Sequence, residues 1–385
     1  MKSLRHWIVP LAALTLASPA FAKEAGSFVV RLGQDTVGVE SYLRTPERLE
    51  VDQAGRAPRA LRRHFIYEYK DGALTHLAVV VTPPGSTTPT QTVNATVVKD
   101  SLRLEVKNGN AAPQVSMVAV TPATLVVSAT SPWAGYESRL MEFVKSRKDS
   151  LRSTIYFLGA GAPDWLSLHR LGKDSVAVSN GHLDVFHSQV DKDGRLLAVR
   201  PISGTAKFSV DRVEKLDVDA TAASYAAREQ AGAGMGVLSP RDSVVTTVAG
   251  AALWIDYGRP AKRGRVVFGT VVPFGEVWRT GANAATQFRT DKALDFGGTV
   301  VPAGFYTLWT VPSPSGWKLI VNSETGQWGT AHKTEKDLMS IDMKTSTLPQ
   351  VVERFTISVE PGAQGGVLNM DWDTTRASAA FTVKP

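Results

Sequence analysis

The sequence contains no cysteine. Disulfide bonds, thiolate nucleophiles, zinc fingers and iron–sulfur clusters are therefore excluded together. The G-x-S-x-G, H-E-x-x-H and P-loop motifs are also missing, which removes three common routes to catalysis or nucleotide binding. After the N-terminal segment, no apolar run approaches the roughly 20 residues that a spanning helix needs. We therefore predict no cofactor and no transmembrane segment.

The composition that remains is that of an ordinary globular protein. Hydrophobic residues make up 43% and charged residues 21% of the 385 positions, which predicts about two folded domains. The formal net charge of +7 is a mild excess for this length. Because the basic residues are spread over both halves, the sequence predicts no nucleic-acid partner.

The first 22 residues have the three parts of a secretory signal peptide. Lys2 and Arg5 form a basic start, Trp7–Ala17 is mostly apolar, and Ala20-Phe21-Ala22 is an A-x-A cleavage site. The apolar part is too short to span a bilayer. The sequence thus predicts residues 1–22 as a signal peptide and an exported protein, periplasmic or extracellular.

Residues 23–218 are expected to form a mostly antiparallel β domain. Short β-rich segments alternate with turn residues, and Asp71-Gly72 lies between two of them as a tight hairpin requires. Residues Trp133 to Lys148 instead show helical spacing of apolar side chains. The economical arrangement is a curved, half-barrel-like sheet with this one helix on its concave face. In outline that resembles exported half-barrel carriers of lipids, and it allows an apolar groove in this domain.

An Ala- and Gly-rich stretch, residues 219–240, is interpreted as the linker between the domains, with one short helix within Ala222–Gln230. The C-terminal part, residues 241–385, is predicted to be all β, as a sandwich or jelly roll. Arg265–Val272 is predicted as one of its strands, and Asp337–Met343 as a short helix or loop. In Phe305–Val311 the alternation predicts that Phe305 and Trp309 share one face of a strand.

One segment of the C-terminal part has the residue types of a ligand site. Between Tyr257 and Thr286, aromatic, guanidinium, hydroxyl and amide side chains lie close together around Trp278-Arg279-Thr280-Gly281. An indole stacks on sugars or planar rings, and a guanidinium binds a carboxylate or phosphate through two hydrogen bonds. The candidate ligand-binding residues are Tyr257, Arg259, Trp278, Arg279, Thr280, Asn283, Thr286 and Trp328.

The structural alternative for the same residues is that they build the domain. A small β domain without disulfides needs large aromatic side chains in its core, and Trp278 is suited to that. Arg279 is equally suited to tie loop carbonyls together as a buried strut. No metal site is predicted, because His182 and His187 lie on opposite faces if their segment is a strand.

The same segment resembles a known family. The motifs Arg259-Pro260, Trp278-Arg279-Thr280-Gly281-Ala282-Asn283, Ala285-Thr286, Pro302-Ala303-Gly304 and Gln327-Trp328-Gly329 occur in the order found in the exported bacterial family called domain of unknown function 2911. The resemblance covers about residues 240–385. It implies a β domain of exported proteins and brings no established activity. The glutamate that this family often carries before Ala-Thr is Ala284 here, so an acid at that position is not essential.

These observations favour a non-enzymatic exported protein that binds a small molecule, a glycan or a lipid. The first alternative is a hydrolase of glycans or esters, in which Asp256, Glu276 or Asp337 is the acid or base and His332 carries protons. Arg279 and Asn283 would then hold the developing oxyanion. The second alternative is a structural partner of envelope machinery. The separating observation is whether Arg279 is saturated by main-chain carbonyls or left open.

Overall fold

Two β-sheets divide the chain near residue 240 in the computed structural model, which describes residues 23–128, 132–181, 184–205 and 207–385. The predicted signal peptide, residues 1–22, and His182 lie outside the described residues. The protein is mainly β, as the sequence predicts, with a large sheet before the boundary and a second sheet after it. No helix in the described ranges is long and apolar enough to cross a membrane.

Within the described residues the first sheet has fifteen strands, in the spatial order β8-β7-β6-β5-β4-β3-β2-β1-β15-β14-β13-β12-β11-β10-β9. Neighbouring strands pair antiparallel except β9 with β10. Their bounds are β1 Glu24–Leu32, β2 Asp35–Arg44, β3 Arg48–Gly55, β4 Leu61–Lys70, β5 Ala73–Thr82, β6 Gln91–Val98, β7 Ser101–Asn108, β8 Gln114–Ala119, β9 Leu125–Val127, β10 Ser150–Phe157, β11 Asp164–Arg170, β12 Ser175–Asn180, β13 Val185–Val190, β14 Leu196–Ser203 and β15 Ser209–Val213.

Local sequence explains much of this sheet. Asp71 and Gly72 have φ of 51° and 79°, the left-handed pair of a two-residue hairpin turn, and they join β4 to β5 as predicted. The predicted helix is also present, as α1 Trp133–Ser146. Its buried side chains, such as Leu140 and Phe143, share one core with strands from both arms of the sheet. The sheet therefore curves around α1, which agrees with the half-barrel expectation.

The start of α1 is held by a side chain from the sheet. The residue before the helix is Pro132, which offers no side-chain cap. Instead the carboxylate of Glu40 on β2 accepts hydrogen bonds from the main-chain N–H groups of Trp133 (3.0 Å) and Ala134 (2.9 Å). A negative charge there also suits the positive end of the helix dipole. Burial raises the pKa of Glu40 to about 7, against the effect of these hydrogen bonds.

A second helix, α2 Val218–Gln230, occupies most of the stretch interpreted as a linker. Asp217 caps it by accepting from Ala220 N at 2.9 Å. Val218, Ala222 and Tyr225 pack on the outer residues of the first sheet, so this segment is ordered against that sheet. The short helix expected within Ala222–Gln230 is thus present, and it begins earlier, at Val218.

Nine strands of the described chain form the second sheet, in the order β16-β17-β18-β21-β22-β23-β24-β19-β20. Their bounds are β16 Arg241–Val248, β17 Ala251–Gly258, β18 Thr286–Thr290, β19 Leu294–Phe296, β20 Thr299–Val301, β21 Gly304–Val311, β22 Trp317–Asn322, β23 Asp337–Pro361 and β24 Gly365–Val383.

Two local predictions in this part are wrong. Arg265–Val272 is not a strand but a series of turns, because Arg263 and Gly264 adopt positive φ and Gly269 closes a turn onto Val272 O. Asp337–Met343 is not a helix or loop but the start of the long strand β23, where it pairs with β22. Its alternating exposed and buried residues follow from that pairing.

The two sheets meet through charged and main-chain contacts. Arg263 pairs with Asp35 at 2.5 Å, and Gln34 N donates to Arg263 O at 3.1 Å. A Cβ on Gly33 would lie 2.2 Å from that same carbonyl oxygen, so the close approach of these two main-chain segments requires glycine at this position.

Candidate functional site

Two motifs that are about 40 residues apart in the sequence lie side by side in the structure. The loop that contains Asn283 pairs with the loop that contains Trp328. Gly329 N donates to Asn283 O at 2.9 Å, and Ala285 N donates to Gln327 O at 3.2 Å. Residues from two of the motifs that carried the family resemblance therefore build one small corner, which we call the Arg279 corner: Arg279, Asn283, Trp328 and Gly329.

The tryptophan of the first motif belongs to the core. Trp278 is buried, and its ring lies 5.0 Å from that of Phe355 and 5.9 Å from that of Trp372, centroid to centroid. Its Nε1–H donates to Gly281 O at 3.1 Å. In this conformation the indole packs inside the domain and stabilises the turn that follows it.

Four other predicted site residues are also engaged in the fold. The buried Tyr257 hydroxyl accepts from Ile357 N at 3.0 Å, and Arg259 Nε donates to Phe355 O at 3.1 Å. Thr280, which has a left-handed φ of 54°, is fixed by Thr286 Oγ1 donating to its carbonyl at 2.6 Å. These residues hold the corner in shape, and their polar atoms are occupied by the protein itself.

Arg279 is different, because no described residue accepts a hydrogen bond from its guanidinium. Its Nε is completely buried and without a partner. The aliphatic part of the side chain passes so close to Gly329 that a Cβ there would lie 1.9 Å from Arg279 Cδ. Gly329 thus leaves the space in which Arg279 lies. Arg279 is therefore not a buried strut whose donors are saturated by loop carbonyls, as the structural alternative expects.

The first sheet contributes charges near the same guanidinium. Burial lowers the pKa of Arg279 to about 10, and the carboxylate of Asp184 opposes that shift. Burial, followed by the positive charge of Arg279, lowers the pKa of Lys207. Lys207 donates only a long 3.3 Å hydrogen bond, to Ile202 O, among the described residues. Sequence reasoning missed Lys207, since nothing in its neighbourhood signals that it comes near Arg279.

Two predicted residues remain open to solvent at the corner. Asn283 is exposed, with a left-handed φ of 63°, while its carbonyl is used by Gly329. The Trp328 side chain is 46% exposed, which is unusual for a tryptophan in a β domain. Of the eight predicted residues, Asn283 and Trp328 are exposed, and Arg279 lacks a hydrogen-bond acceptor among the described residues.

The acid and base residues of the hydrolase alternative are dispersed into separate contacts. Asp256 forms a two-pronged ion pair with Arg241, at 2.9 and 2.5 Å. Asp337 lies 2.9 Å from His332 Nε2 and accepts from Asn322 at 2.7 Å. Glu276 is exposed. In the part of the chain that the structure describes, no group of three His, Asp or Glu side chains is arranged to hold a metal ion.

Two solved structures resemble part of the chain. One is a DUF1089-family protein from Pseudomonas aeruginosa, with a TM-score of 0.31 and 12% identity, over 48% of this chain and 95% of that one. The other is a β-barrel-like protein of the DUF1849 family from Brucella abortus, with a TM-score of 0.34 and 8% identity, over 51% and 97%.

None of the curated proteins matches the sequence. The family comparison is more specific, and it falls on the half of the molecule that contains the Arg279 corner. Residues 239–381, the C-terminal part of the chain, match the family described as "Protein of unknown function (DUF2911)", which confirms the resemblance predicted from the motifs.

Proposed function

We propose that this is an exported, non-enzymatic binding protein that holds a small anionic molecule or an acidic glycan at the Arg279 corner. The observation that carries the proposal is the guanidinium that lacks an acceptor among the described residues. A buried charged donor without a partner costs on the order of 1–3 kcal/mol or more. A carboxylate or phosphate that accepts two hydrogen bonds from Arg279 recovers that free energy.

The surroundings of Arg279 favour an anion over a neutral ligand. Lys207 adds a second positive charge, and the positive charge of Arg279 contributes to lowering its pKa. Asp184 and Glu276 are the opposing acids, and Asp184 already accepts from Thr205 N at 2.6 Å. A bound anion therefore neutralises a local excess of positive charge.

The exposed indole gives the proposal its second feature. Trp328 directly precedes Gly329, against which the Arg279 side chain lies. A sugar ring or planar group that stacks on Trp328 can thus place an acidic substituent toward Arg279. Asn283 supplies an amide that both donates and accepts. A sugar acid or sugar phosphate fits this combination better than a neutral sugar or a bare anion.

Binding is proposed rather than hydrolysis because two of the three candidate acids are already paired, while the third, Glu276, is exposed to solvent. Asp256 is held by Arg241 and Asp337 by His332, so neither is poised as a free acid or base. Export is proposed from the signal-like segment at residues 1–22. Cell fractionation tests it: a processed chain that begins near Lys23 outside the cytoplasm supports export, and an unprocessed cytoplasmic chain contradicts it.

Thermal-shift and calorimetric titrations with D-glucuronate and glucose 6-phosphate test the binding site, with D-glucose as the neutral comparison. We expect both acids to raise the melting temperature of the wild type and glucose to have no effect. Arg279→Gln is expected to abolish the shift. Arg289→Gln removes an exposed arginine of the same domain and is the matched control that leaves the shift intact.

Three results contradict the proposal. They are the absence of a shift with either acid, an equal response to glucose, and full binding by a folded Arg279→Gln variant. Trp328→Ala separates stacking from charge: it is expected to weaken glucuronate binding while inorganic phosphate binding is unchanged.

A further inference from the structure

A groove of about 670 Å³ lies between α1 and strands of the first sheet, far in sequence from the Arg279 corner. Its apolar surface is formed by Tyr69, Met141 and Val144, with Leu49 beneath them. One wall is the C-terminal half of the helix, and the other comes from the β2–β3 turn and the loop before β14. The volume falls in the range of about 300–1,000 Å³ that is typical of small-molecule sites.

Six charged residues line this groove, and half of them already have partners. Arg44 pairs with Glu137 at 2.9 Å, Glu142 with Arg139 at 2.7 Å, and Asp193 with Arg195 at 3.2 Å. The remaining three are all basic. They are Lys145, Arg147 and Lys192, and no carboxylate in the described ranges lies within ion-pair distance of them.

The helix dipole by itself does not account for these three cations. Lys145 and Arg147 lie at the C-terminal end of α1, where basic residues stabilise a helix. Lys192, however, belongs to the loop between β13 and β14, on the other wall of the same groove. Two separate elements therefore bring unpaired positive charge to one rim above an apolar floor.

We propose that this groove binds an anionic amphiphile with a single acyl chain. The chain covers the apolar floor along Tyr69, Met141 and Val144, and the carboxylate or phosphate head lies at Lys145, Arg147 and Lys192. Burial of the chain provides most of the free energy, and the charged rim selects the sign of the head group. The site is independent of the one proposed at Arg279.

Calorimetric titration of the whole mature chain tests this assignment with four probes. Palmitate carries a carboxylate head, palmitoyl lysophosphatidic acid a phosphate head, hexadecyltrimethylammonium a cationic head on a chain of the same length, and inorganic phosphate no chain. We expect the two acidic amphiphiles to bind and the other two to bind at least about tenfold more weakly. Whichever acid binds more tightly identifies the head group.

Variants connect the binding to the groove. The double variant Lys145→Glu, Lys192→Glu is expected to weaken the acidic amphiphiles by about tenfold or more. Lys107→Glu, Lys173→Glu makes the same change of charge at exposed positions outside the groove and is expected to have no such effect. Met141→Trp fills the floor and is expected to block the chain. Circular dichroism verifies that each variant is folded.

Several outcomes overturn the inference. These are failure of both acidic amphiphiles to bind, equal binding of the cationic amphiphile, equal binding of inorganic phosphate, and no loss in the folded double charge-reversal variant. Arg279→Gln distinguishes the two sites, because we expect it to leave palmitate binding unchanged while it abolishes the response to glucuronate.

Discussion

The two halves of the molecule each hold a charged side chain away from water, and they treat it in opposite ways. Glu137 on α1 is fully buried and receives hydrogen bonds from Tyr42 (2.5 Å), Arg44 (2.9 Å) and Leu196 N (2.8 Å), as well as from Arg212. In the second half, no described residue accepts a hydrogen bond from the guanidinium of Arg279.

The difference separates a charge that builds the fold from one that, in our proposal, is available to a ligand. A saturated buried ion is expensive to disturb, and here it connects the helix to both arms of the sheet. A buried ion without hydrogen-bond partners lowers the stability of the folded protein, and such groups concentrate at functional sites. Mutations at the two places should therefore behave differently, and the following predictions are arranged from the largest effect to the smallest.

Replacing Glu137 by Ala is expected to destabilise the protein most. It leaves Arg44 and Arg212 close together without their shared carboxylate, and breaking such a buried pair costs about 3–5 kcal/mol. Urea unfolding measures the free energy. Glu142→Ala, an exposed position on the same helix, is the control, with an expected change of less than about 1 kcal/mol. A loss of similar size in both variants would mean that the network does not anchor α1.

Substitutions of the two tryptophans in the family motifs are expected to have clearly different effects on stability. Trp278→Leu should lose about 2–3 kcal/mol of stability, since it removes part of a packed aromatic cluster. Trp328→Ala should change stability by less than about 1 kcal/mol, because that side chain is half exposed. The same unfolding experiment reports both. If Trp328→Ala were the more destabilising change, the exposed indole would be structural.

The pH dependence of stability provides a third comparison. The folded-state pKa of Glu40 is raised to about 7 from 4.5, so its contribution is complete below pH 4.5 and is lost as the pH rises toward and through 7. Glu40→Gln should therefore flatten the decline in unfolding free energy between about pH 5 and 8, by on the order of 2 kcal/mol. Glu47→Gln, exposed in the β2–β3 turn, should keep the wild-type slope.

The raised pKa of His64, caused first by its hydrogen bond with Asp52, also makes stability fall as pH increases. Because the His64–Asp52 pair is present in the wild type, in Glu40→Gln and in Glu47→Gln, it does not affect the differences between their slopes. A Glu40→Gln variant whose unfolding free energy has the wild-type dependence on pH would show that Glu40 is ionised as easily in the folded as in the unfolded chain.

The last comparison concerns Gly329, beside the Arg279 side chain. Gly329→Ala puts a methyl group 1.9 Å from Arg279 Cδ and 2.4 Å from Asn283 O, and the overpacking should cost about 1–3 kcal/mol. It should also displace the guanidinium and weaken glucuronate binding. Arg279→Ala in the same chain removes the contact with Cδ but not the one with the Asn283 carbonyl oxygen, so the double variant should recover part of the stability and none of the binding. Additive stability losses would mean that the two residues do not interact.

Local patterns predicted a good part of the fold. Asp71-Gly72 determines its hairpin because both positions tolerate positive φ, and the apolar spacing within 133–146 identifies α1. The strand Gly304–Val311 shows where such patterns end. Phe305 and Trp309 share a face, yet Phe305 is exposed and Trp309 is buried, since His332 from a distant loop covers its ring at 4.8 Å.

For the candidate site, the sequence determined which motifs matter and which residue types they contain. Order along the chain, however, does not reveal which donors the fold will saturate. Tyr257, Arg259 and Trp278 contact residues of β23 and β24 that are remote in sequence, whereas no described residue accepts a hydrogen bond from Arg279.

The sequence by itself determined the β architecture, the helix α1 and the location of the motif-bearing region, because these depend on periodicity and turn chemistry within short segments. Only the tertiary structure decided that Glu40 and Glu137 would be enclosed by partners, that Lys207 would come near Arg279, and that Lys192 would face the end of α1. The physical reason is that burial and charge compensation depend on distances in space, which many strand pairings set together.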